Sequence, residues 1–463
     1  MPSIDNPSTD DPSTDNPTTG RTGSRTDPRS AARRRPLAAL VGADEQVPLV
    51  TGGAVRYANL DIAASAPALQ SVADRVAEFL PYYSSVHRGA GYASAVSTAA
   101  YETARRTIGA FVGARDDDVV QIVRNTTDAL NLLATAVPGD VVHLDVEHHA
   151  NLLPWQRLGG RARAVTARES VAGTLAAVEA ELHRAPTALL AVTGASNVTG
   201  EILPLADLVE IAHRHGARIA VDGAQLVPHH RVHLERLGID YLAFSGHKLY
   251  APYGAGVLVG RRDWLDAAPP YLAGGGAVRA VTLGATSWAD TPARHEAGTP
   301  NVVGAVALAA ACEAIAALPD SELRIHEERL RDRLLCALGF LEVPTLQLWR
   351  GEVEAIGVVT FTVPGHTAEL VAQYLSAEHG VGVRDGRFCA HPLLARLNGG
   401  RTAVRASLGL GSTTADVDRL IGGIAQLVAD GPAWTYDADG RPCPDPRPLP
   451  AWVTETGAGA ACA

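Results

Sequence analysis

The sequence predicts an α/β fold in which a mostly parallel sheet is packed between layers of helices. Short apolar runs recur along the chain, and two of them, residues 218–221 and 241–244, stop at polar residues flanked by glycine. Such runs are typical of strands buried on both faces of a parallel sheet. Stretches between the runs have apolar residues at helical spacing, as expected of the flanking layers. The 463 residues are enough for two domains.

Composition divides the chain into four predicted segments. Residues 1–45 are poor in apolar residues and repeat a Ser-Thr-Asp-Pro theme, which predicts a disordered tail. Residues 46–312 are predicted to form the large domain, whose first segment is also compatible with packing on the small one. Residues 313–431 have the mixed helix and strand patterns of a smaller α+β domain. The remainder, 432–463, is an extension rich in Pro and Gly.

Charge and cysteine content exclude several classes of partner. The formal net charge is −10 and no basic stripe is visible, which argues against nucleic acid. No apolar run approaches the length of a membrane span, so no membrane partner is expected. The cysteines are odd in number and have no CxxC spacing, which predicts neither a metal site nor a disulfide framework and favours a reducing cytoplasm. They are Cys312, Cys336, Cys389, Cys443 and Cys462.

A carboxylate and an amine follow the two apolar runs. Asp222 ends the first run, and Lys248 follows the second in Ser-Gly-His-Lys. Because ligands bind beyond the carboxyl ends of parallel strands, the two side chains are expected to face one site. A lysine amine can bond the aldehyde of pyridoxal 5'-phosphate (PLP), and a carboxylate can keep its pyridine nitrogen protonated. On spacing alone, a solvated lysine and an aspartate that caps a turn remain open.

The residues around this pair resemble the cofactor segment of class-V (fold-type I) aminotransferases. The matching motifs are Ile-Ala-Val-Asp-Gly-Ala-Gln at 219–225 and Phe-Ser-Gly-His-Lys-Leu-Tyr at 244–250. Within that superfamily the chain is most similar to the SufS-like group of cysteine desulfurases and selenocysteine lyases, from about Tyr57 to about Leu427. The resemblance implies a fold-type I PLP-dependent transferase, with PLP as the cofactor.

The resemblance also implies which residues bind the cofactor. Thr126 and Thr127 align with a phosphate-binding Gly-Thr-Thr segment in which Asn125 replaces the glycine, although an ordinary helix N-cap is the alternative on sequence alone. His148 aligns with a histidine that stacks on the pyridine ring and helps move protons, whereas His149 is interpreted as structural. The remaining implied ligands are Asn197 near the cofactor and substrate, Asp222 at the ring nitrogen, Gln225 at the ring hydroxyl, Ser245 and His247 at the phosphate, Lys248 at the aldehyde, and Thr299 at the phosphate of the neighbouring subunit.

Further residues are implied to bind the substrate. Arg405, in Val-Arg-Ala-Ser, matches the arginine that holds the substrate α-carboxylate, a task that suits its bidentate fork. Arg384 and Asn197 are expected beside it. His87 and Arg88 lie in a loop similar to one near the mouth of the family's active site, which predicts a role in the substrate channel. Surface positions are the alternative for the arginines and for this loop.

The run Arg-Asp-Gly-Arg-Phe-Cys-Ala-His-Pro-Leu resembles the desulfurase loop, whose pattern is Arg-x-Gly-His-His-Cys-Ala-x-Pro-Leu. Cys389 falls on the family's nucleophile, and Arg384 and Arg387 are close enough in sequence to favour its thiolate. Arg387 and Phe388 stand in place of the two histidines, so a histidine that could relay protons to Cys389 is absent there. The identity of the substrate and the efficiency of the reaction are therefore left open, and His391 is a partial substitute for the missing histidine. For Cys389 alone, a small residue in a turn is the alternative.

The resemblance implies an enzyme that removes sulfur from L-cysteine, or selenium from selenocysteine, as a persulfide on Cys389 and releases alanine. The implied partners are an amino-acid substrate, a second copy of the chain and a sulfur-acceptor protein. Thr299 would complete the active site of that second copy. Three alternatives remain open: a class-V aminotransferase or epimerase, a C–S lyase that acts on a cysteine conjugate, and a catalytically silent scaffold. Lys248, Asp222, His148 and Arg405 occurring together argue against the scaffold.

Overall fold

A computed structural model of the chain describes residues 36–450 and 452–453. The part of the predicted tail from 1 to 35 lies outside these residues. Residues 36–45 are ordered, contrary to the predicted boundary at 45: the Leu37 N–H donates to the Leu410 carbonyl at 2.7 Å, and Leu40 forms a bridge with Leu69. Leu37 and Leu40 pack on the core, but they are too few to mark this stretch as ordered in a composition dominated by the polar tail.

The strands and helices of the described chain follow the predicted alternation. In order, the strands are β1 (Gln46–Pro48), β2 (Ala54–Arg56), β3 (Ala58–Asn59), β4 (Asp118–Val123), β5 (Val141–Leu144), β6 (Ala162–Val165), β7 (Leu189–Thr193), β8 (Arg218–Asp222), β9 (Tyr241–Ser245), β10 (Gly256–Arg261), β11 (Val278–Val281), β12 (Thr286–Trp288), β13 (Val358–Phe361), β14 (Val381–Gly382), β15 (Arg384–Gly386) and β16 (Ala403–Ser407). The helices are α1 (Gln70–Phe79), α2 (Tyr92–Phe111), α3 (Thr126–Ala136), α4 (Leu153–Gln156), α5 (Val171–Arg184), α6 (Leu205–Arg214), α7 (Leu234–Leu237), α8 (Arg262–Ala267), α9 (Val302–Ala316), α10 (Asp320–Phe340), α11 (Ala368–His379), α12 (His391–Asn398) and α13 (Thr414–Asp430).

A seven-stranded sheet in the order β4-β10-β9-β8-β7-β5-β6 forms the centre of the fold. Strands β6, β5, β7, β8 and β9 pair in parallel, and β10 pairs antiparallel with β9 and β4. Alternate residues of β7 belong to different apolar clusters, Leu190 and Val192 to one and Leu189 and Ala191 to another. Because successive side chains of a strand point to opposite faces, the sheet is covered on both sides. This explains the unbroken apolar runs of the sequence.

A second apolar core lies in the C-terminal part of the chain. It joins α10, α11 and α13 to the antiparallel sheet β13-β16-β15. Ala58 and Leu60 of the first segment also belong to this core, and β3 pairs in parallel with β14. The described residues from Pro36 onward form one compact unit, so the predicted division between 312 and 313 stays a prediction.

The C-terminal extension packs on α11. The buried carboxylate of Glu378 accepts the backbone N–H groups of Ala433 and Trp434, each at 3.0 Å, and the hydroxyl of Tyr436 at 2.9 Å. The extension is therefore anchored up to these residues despite its Pro and Gly content.

Within the described ranges, no single helix has the length and apolar character needed to cross a membrane. Helices α9 and α10, which meet at 88°, reach that length and composition only when they are counted together.

Candidate active site

A cavity of about 290 Å³ lies at the carboxyl edge of the central sheet. Strands β7, β8 and β9 end there, as expected for the ligand site of an open α/β sheet. Most of the residues that the sequence predicts for the site line this cavity. They are Thr126, Thr127, His148, Asn197, Asp222, Gln225, Ser245, His247, Lys248, Arg384, Cys389 and Arg405.

Lys248 and Asp222 form the amine and carboxylate pair of the cavity. Burial lowers the pKa of Lys248 from 10.5 to about 8; Arg405 adds to the shift, and Asp222 opposes it. Burial raises the pKa of the Asp222 carboxyl, which accepts the Ala224 N–H at 3.0 Å. Lys248 is also the only lysine in the chain, a signal that motif spacing did not use. A substantial fraction of this amine is neutral near pH 8, as a nucleophile or base requires.

The N-terminus of α3 offers an anion site beside the lysine. The Thr126 N–H donates to Ser245 Oγ at 2.8 Å, and the two hydroxyl oxygens lie 2.7 Å apart. One hydroxyl proton lies between them, which leaves the other available to a ligand. In the described residues, the N–H and hydroxyl of Thr127 have no hydrogen-bond partner. Both observations fit a phosphate at a helix N-terminus.

Asn125 replaces the family's glycine at this helix because it acts as the cap. Its Oδ1 accepts the Asp128 N–H at 2.9 Å. The space needed at this point is provided by Gly256 on the neighbouring strand, where a Cβ atom would lie 2.6 Å from the Asn125 Cα. The departure from the motif therefore leaves the anion site intact.

His148 is a neutral imidazole at the cavity wall. Burial lowers its pKa to about 3, and the charges of Lys248, His149 and Arg405 act in the same direction. Its Nδ1 lies 3.0 Å from the Ala150 N–H and accepts that proton, so the ring proton is on Nε2.

Two further predicted ligands have partners that define what they can offer. Gln225 donates from Nε2 to the Ala63 carbonyl at 2.8 Å, which orients its amide and leaves Oε1 as an acceptor for a ring hydroxyl. His247 lies 3.4 Å from Ser65 Oγ, and burial lowers its pKa to about 4.

Arg405 is a buried guanidinium with spare hydrogen-bonding capacity. Its Nη1 donates to the Asn197 carbonyl at 3.0 Å, and its Nη2 to Asp61 Oδ1 at 3.3 Å. Its Nε is buried without a partner in the part of the chain that the structure describes. Sequence patterns assign Asp61 no role, because only the fold brings it to Arg405. The unsatisfied donor fits an incoming carboxylate.

Cys389 lies at the exposed side of the same cavity. Its carbonyl accepts the His149 N–H at 2.8 Å, and the preceding carbonyl, of Phe388, accepts from Asn197 Nδ2 at 2.7 Å. The His149 and His391 rings are 4.6 Å apart in an edge-to-face arrangement. Phe388 also lines the cavity, although no role is predicted for it from the sequence.

Three predicted residues lie away from this cavity in the single chain. His87 Nε2 is 2.9 Å from Glu102 Oε1, and the Arg88 guanidinium is next to Gly276. Thr299 does not line the cavity either, and its predicted site is in a neighbouring subunit. The roles of these three residues stay predictions.

The residues present fit PLP: one lysine, one buried carboxylate, a neutral histidine and a helix N-terminus whose Thr127 N–H has no partner among the described residues share a cavity. Lys248 would hold the aldehyde, Asp222 the ring nitrogen, and the hydroxyls of Thr127, Thr126 and Ser245 the phosphate.

Comparisons with known proteins agree with this geometry. The family model described as Aminotransferase class-V matches residues 58–420. A cysteine desulfurase of Dickeya dadantii (strain 3937) is 41% identical over 385 residues, covering 80% of this chain and 92% of that relative. A cysteine desulfurase of Escherichia coli O139:H28 is 38% identical over 389 residues, with 80% and 93% covered.

Solved structures give the same result. The apo cysteine desulfurase from Thermococcus onnurineus NA1 has a TM-score of 0.75 and 33% identity, covering 84% of this chain and 99% of that one. The cysteine desulfurase CsdA (S-sulfonic acid) from Escherichia coli has a TM-score of 0.70 and 31% identity, with 80% and 94% covered.

These matches confirm the predicted fold class and the resemblance on which the cofactor rested, and PLP is the cofactor of this family. The chain belongs to the class-V aminotransferases and, among them, to the cysteine desulfurases.

Proposed function

We propose that this PLP-dependent enzyme moves the sulfur of L-cysteine, or the selenium of selenocysteine, to Cys389 and releases alanine. One observation carries the proposal: the chain's only lysine, a buried arginine with a free donor and an exposed cysteine line the same cavity. An aminotransferase would need the first two but not the thiol.

The substrate is bound and oriented by Arg405. Its unpartnered Nε, together with the Nη groups, offers charge-assisted hydrogen bonds to an α-carboxylate. Asn197 and Asp61 fix the guanidinium plane through the Nη groups. The carboxylate therefore sets where the substrate's sulfur lies relative to Cys389.

Proton transfer at the substrate falls to Lys248 and His148. When bound, PLP supplies an aldehyde for the substrate amine and a ring that withdraws electrons from the α-carbon. Lys248, whose pKa of about 8 is near working pH, is suited to remove the α-proton of a bound substrate. The Asp222 carboxylate would hold the ring nitrogen in its protonated form, and neutral His148 has a proton on Nε2 to donate.

Cys389 then receives the sulfur. Its thiolate forms a sulfur–sulfur bond with the substrate thiol sulfur while the bond from that sulfur to the substrate's Cβ breaks, and the electron pair of that bond stays with the carbon. Protonation of Cβ gives alanine. The products are one persulfide and one alanine per cysteine, with no external oxidant or reductant. The persulfide on an exposed side chain is accessible to an acceptor protein.

The enzyme is further proposed to act as a homodimer in a reducing cytoplasm. Thr299, His87 and Arg88 lie outside the cavity of their own chain, as residues that serve a neighbouring site would. The strand pair β11–β12 also exposes apolar side chains, with Val281 at 62% and the nearby Leu283 fully exposed. The described cysteines are all free, which supports the compartment.

The experiment is product analysis with L-cysteine and holoenzyme. Wild type is expected to give alanine and a single added sulfur on the Cys389 peptide by mass spectrometry. Cys389→Ala should lose both, whereas Cys443→Ala, at another exposed cysteine, should behave as wild type. Alanine formed by Cys389→Ala at the wild-type rate would contradict the proposal, as would a keto acid or pyruvate with ammonia as the main product.

A further inference from the structure

Phe388, which directly precedes Cys389, forms a cluster with Arg405 and Asn197 in which each residue contacts the other two. The Arg405 guanidinium carbon lies 5.1 Å from the centre of the Phe388 ring. Asn197 Nδ2 donates to the Phe388 carbonyl at 2.7 Å, and Arg405 Nη1 donates to the Asn197 carbonyl at 3.0 Å. All three residues are buried. The cluster joins the predicted carboxylate site to the loop that carries the nucleophile.

The same loop has a backbone that needs support from its surroundings. Phe388 and Cys389 have φ angles of 52° and 51°, a region that residues other than glycine rarely adopt. The Phe388 carbonyl is held by Asn197, and the Cys389 carbonyl by the His149 N–H. The Phe388 side chain itself is only 7% exposed, so its burial contributes a third anchor.

We propose that Phe388 is a positioning residue that holds the Cys389 loop in its reactive geometry and orients Arg405 for the substrate carboxylate. An aromatic face attracts a guanidinium, and the attraction is strongest where water is excluded. The histidine of the family pattern would repel Arg405 whenever it is protonated, whereas phenylalanine cannot. Phenylalanine in place of the family's histidine therefore stabilises Arg405, the arginine proposed to bind the substrate carboxylate.

The proposal rests on the proposed function and adds a coupling between two parts of the site. A carboxylate that binds Arg405 changes the position of a guanidinium that also contacts Phe388. Phe388 directly precedes the nucleophile. Ligands of Arg405 are therefore expected to change the reactivity of Cys389 even when no sulfur is transferred. L-alanine, the proposed product, carries the carboxylate but no sulfur and is the probe.

The test uses holoenzyme with Phe388→Leu, Phe388→Tyr and, as a matched control, Phe340→Leu at an aromatic residue that is 85% exposed on α10. KM and kcat for L-cysteine are measured. The rate at which iodoacetamide alkylates Cys389 is followed by peptide mass spectrometry over a range of L-alanine concentrations. The alkylation needs no turnover.

Loss of the ring should raise KM, and the L-alanine concentration for half-maximal effect, by about 3- to 30-fold in Phe388→Leu, with a smaller change in kcat. Phe388→Tyr keeps an aromatic face, so it and the control should stay within about twofold of wild type. The proposal would be overturned if Phe388→Leu had the KM and the Cys389 alkylation rates of wild type. It would also be overturned if L-alanine did not change the alkylation rate of wild type. If Phe388→Leu does not fold, Phe388→Met takes its place. Failure of the proposed function would appear separately, as alanine formation by Cys389→Ala.

Discussion

The amine of Lys248 should titrate far below an ordinary lysine when the cofactor is removed. Burial lowers its pKa from 10.5 to about 8, because water that would stabilise the ammonium is excluded from the cavity. The perturbation is therefore a pH series on the cofactor-free enzyme. The neutral amine, the form that attacks an aldehyde, should appear with a midpoint near pH 8.

The size of the effect follows from the two pKa values. Near pH 7 both amines are mostly protonated, so the ratio of their neutral fractions is set by the shift. For a lysine at about 8 rather than 10.5, that ratio is ~300-fold in favour of Lys248. The initial rate of PLP uptake at neutral pH should rise in the same direction, by less than this factor, because an amine of lower pKa is a weaker nucleophile.

The assay is unusually direct because Lys248 is the only lysine. Lys248 and the terminal α-amine are the only amines that an acylating reagent can label, and peptide mass spectrometry separates them from each other and from labelled thiols. The rate of Lys248 labelling against pH gives its pKa. The same lysine in urea is the control, and it should return to about 10.4.

Two variants test the stated causes of the shift. Asp222→Asn removes the charge that favours the ammonium, so the midpoint should fall below that of wild type. Arg405→Gln removes a charge that opposes the ammonium, so the midpoint should rise. A wild-type midpoint near 10, a rise in Asp222→Asn or a fall in Arg405→Gln would refute the reasoning.

Two further measurements follow from the structure. Glu296→Gln should lower the free energy of unfolding in urea by about 2 kcal/mol, because it weakens two charge-assisted hydrogen bonds of 2.9 Å to the largely buried Arg105 and leaves Glu102, at 3.2 Å, as its charged partner. The exposed Glu169→Gln is the control, and equal stability of the two variants would count against this ion pair. His148 in the cofactor-free enzyme should show no NMR titration between about pH 5 and 8, since its pKa is lowered to about 3 and its Nδ1 accepts from Ala150. A midpoint near 6.5 would contradict this.

The central sheet and one edge of the site could be predicted because their signals are local. A strand buried on both faces has to be apolar along its length, so its end is visible where polar residues begin. Asp222 and Ser245 end β8 and β9, and parallel pairing brings those ends together. The chemistry of an aldehyde cofactor then identifies Lys248.

Residues that depend on the tertiary fold could not be found in this way. Asp61 and Arg405 are 344 positions apart, and neither neighbourhood shows that one is the other's counter-charge. Phe388 is visible in the sequence only as a departure from a motif, and its contact with Arg405, 17 positions away, depends on the tertiary fold. The position of Thr299 relative to a second subunit is likewise not encoded in its local sequence.

The composition of the chain identifies the reactive amine independently of any motif, because the chain has a single lysine. Apart from Lys248, every basic side chain is arginine or histidine. A guanidinium is protonated at all working pH values and is a poor nucleophile, so it does not compete for an aldehyde. Selectivity for the cofactor's attachment point therefore has two sources, the absence of other lysines and the lowered pKa of Lys248. A lysine introduced on the surface should react with the aldehyde more slowly than Lys248 at pH 7, because its ordinary pKa leaves less of it neutral. Equal rates would contradict this expectation.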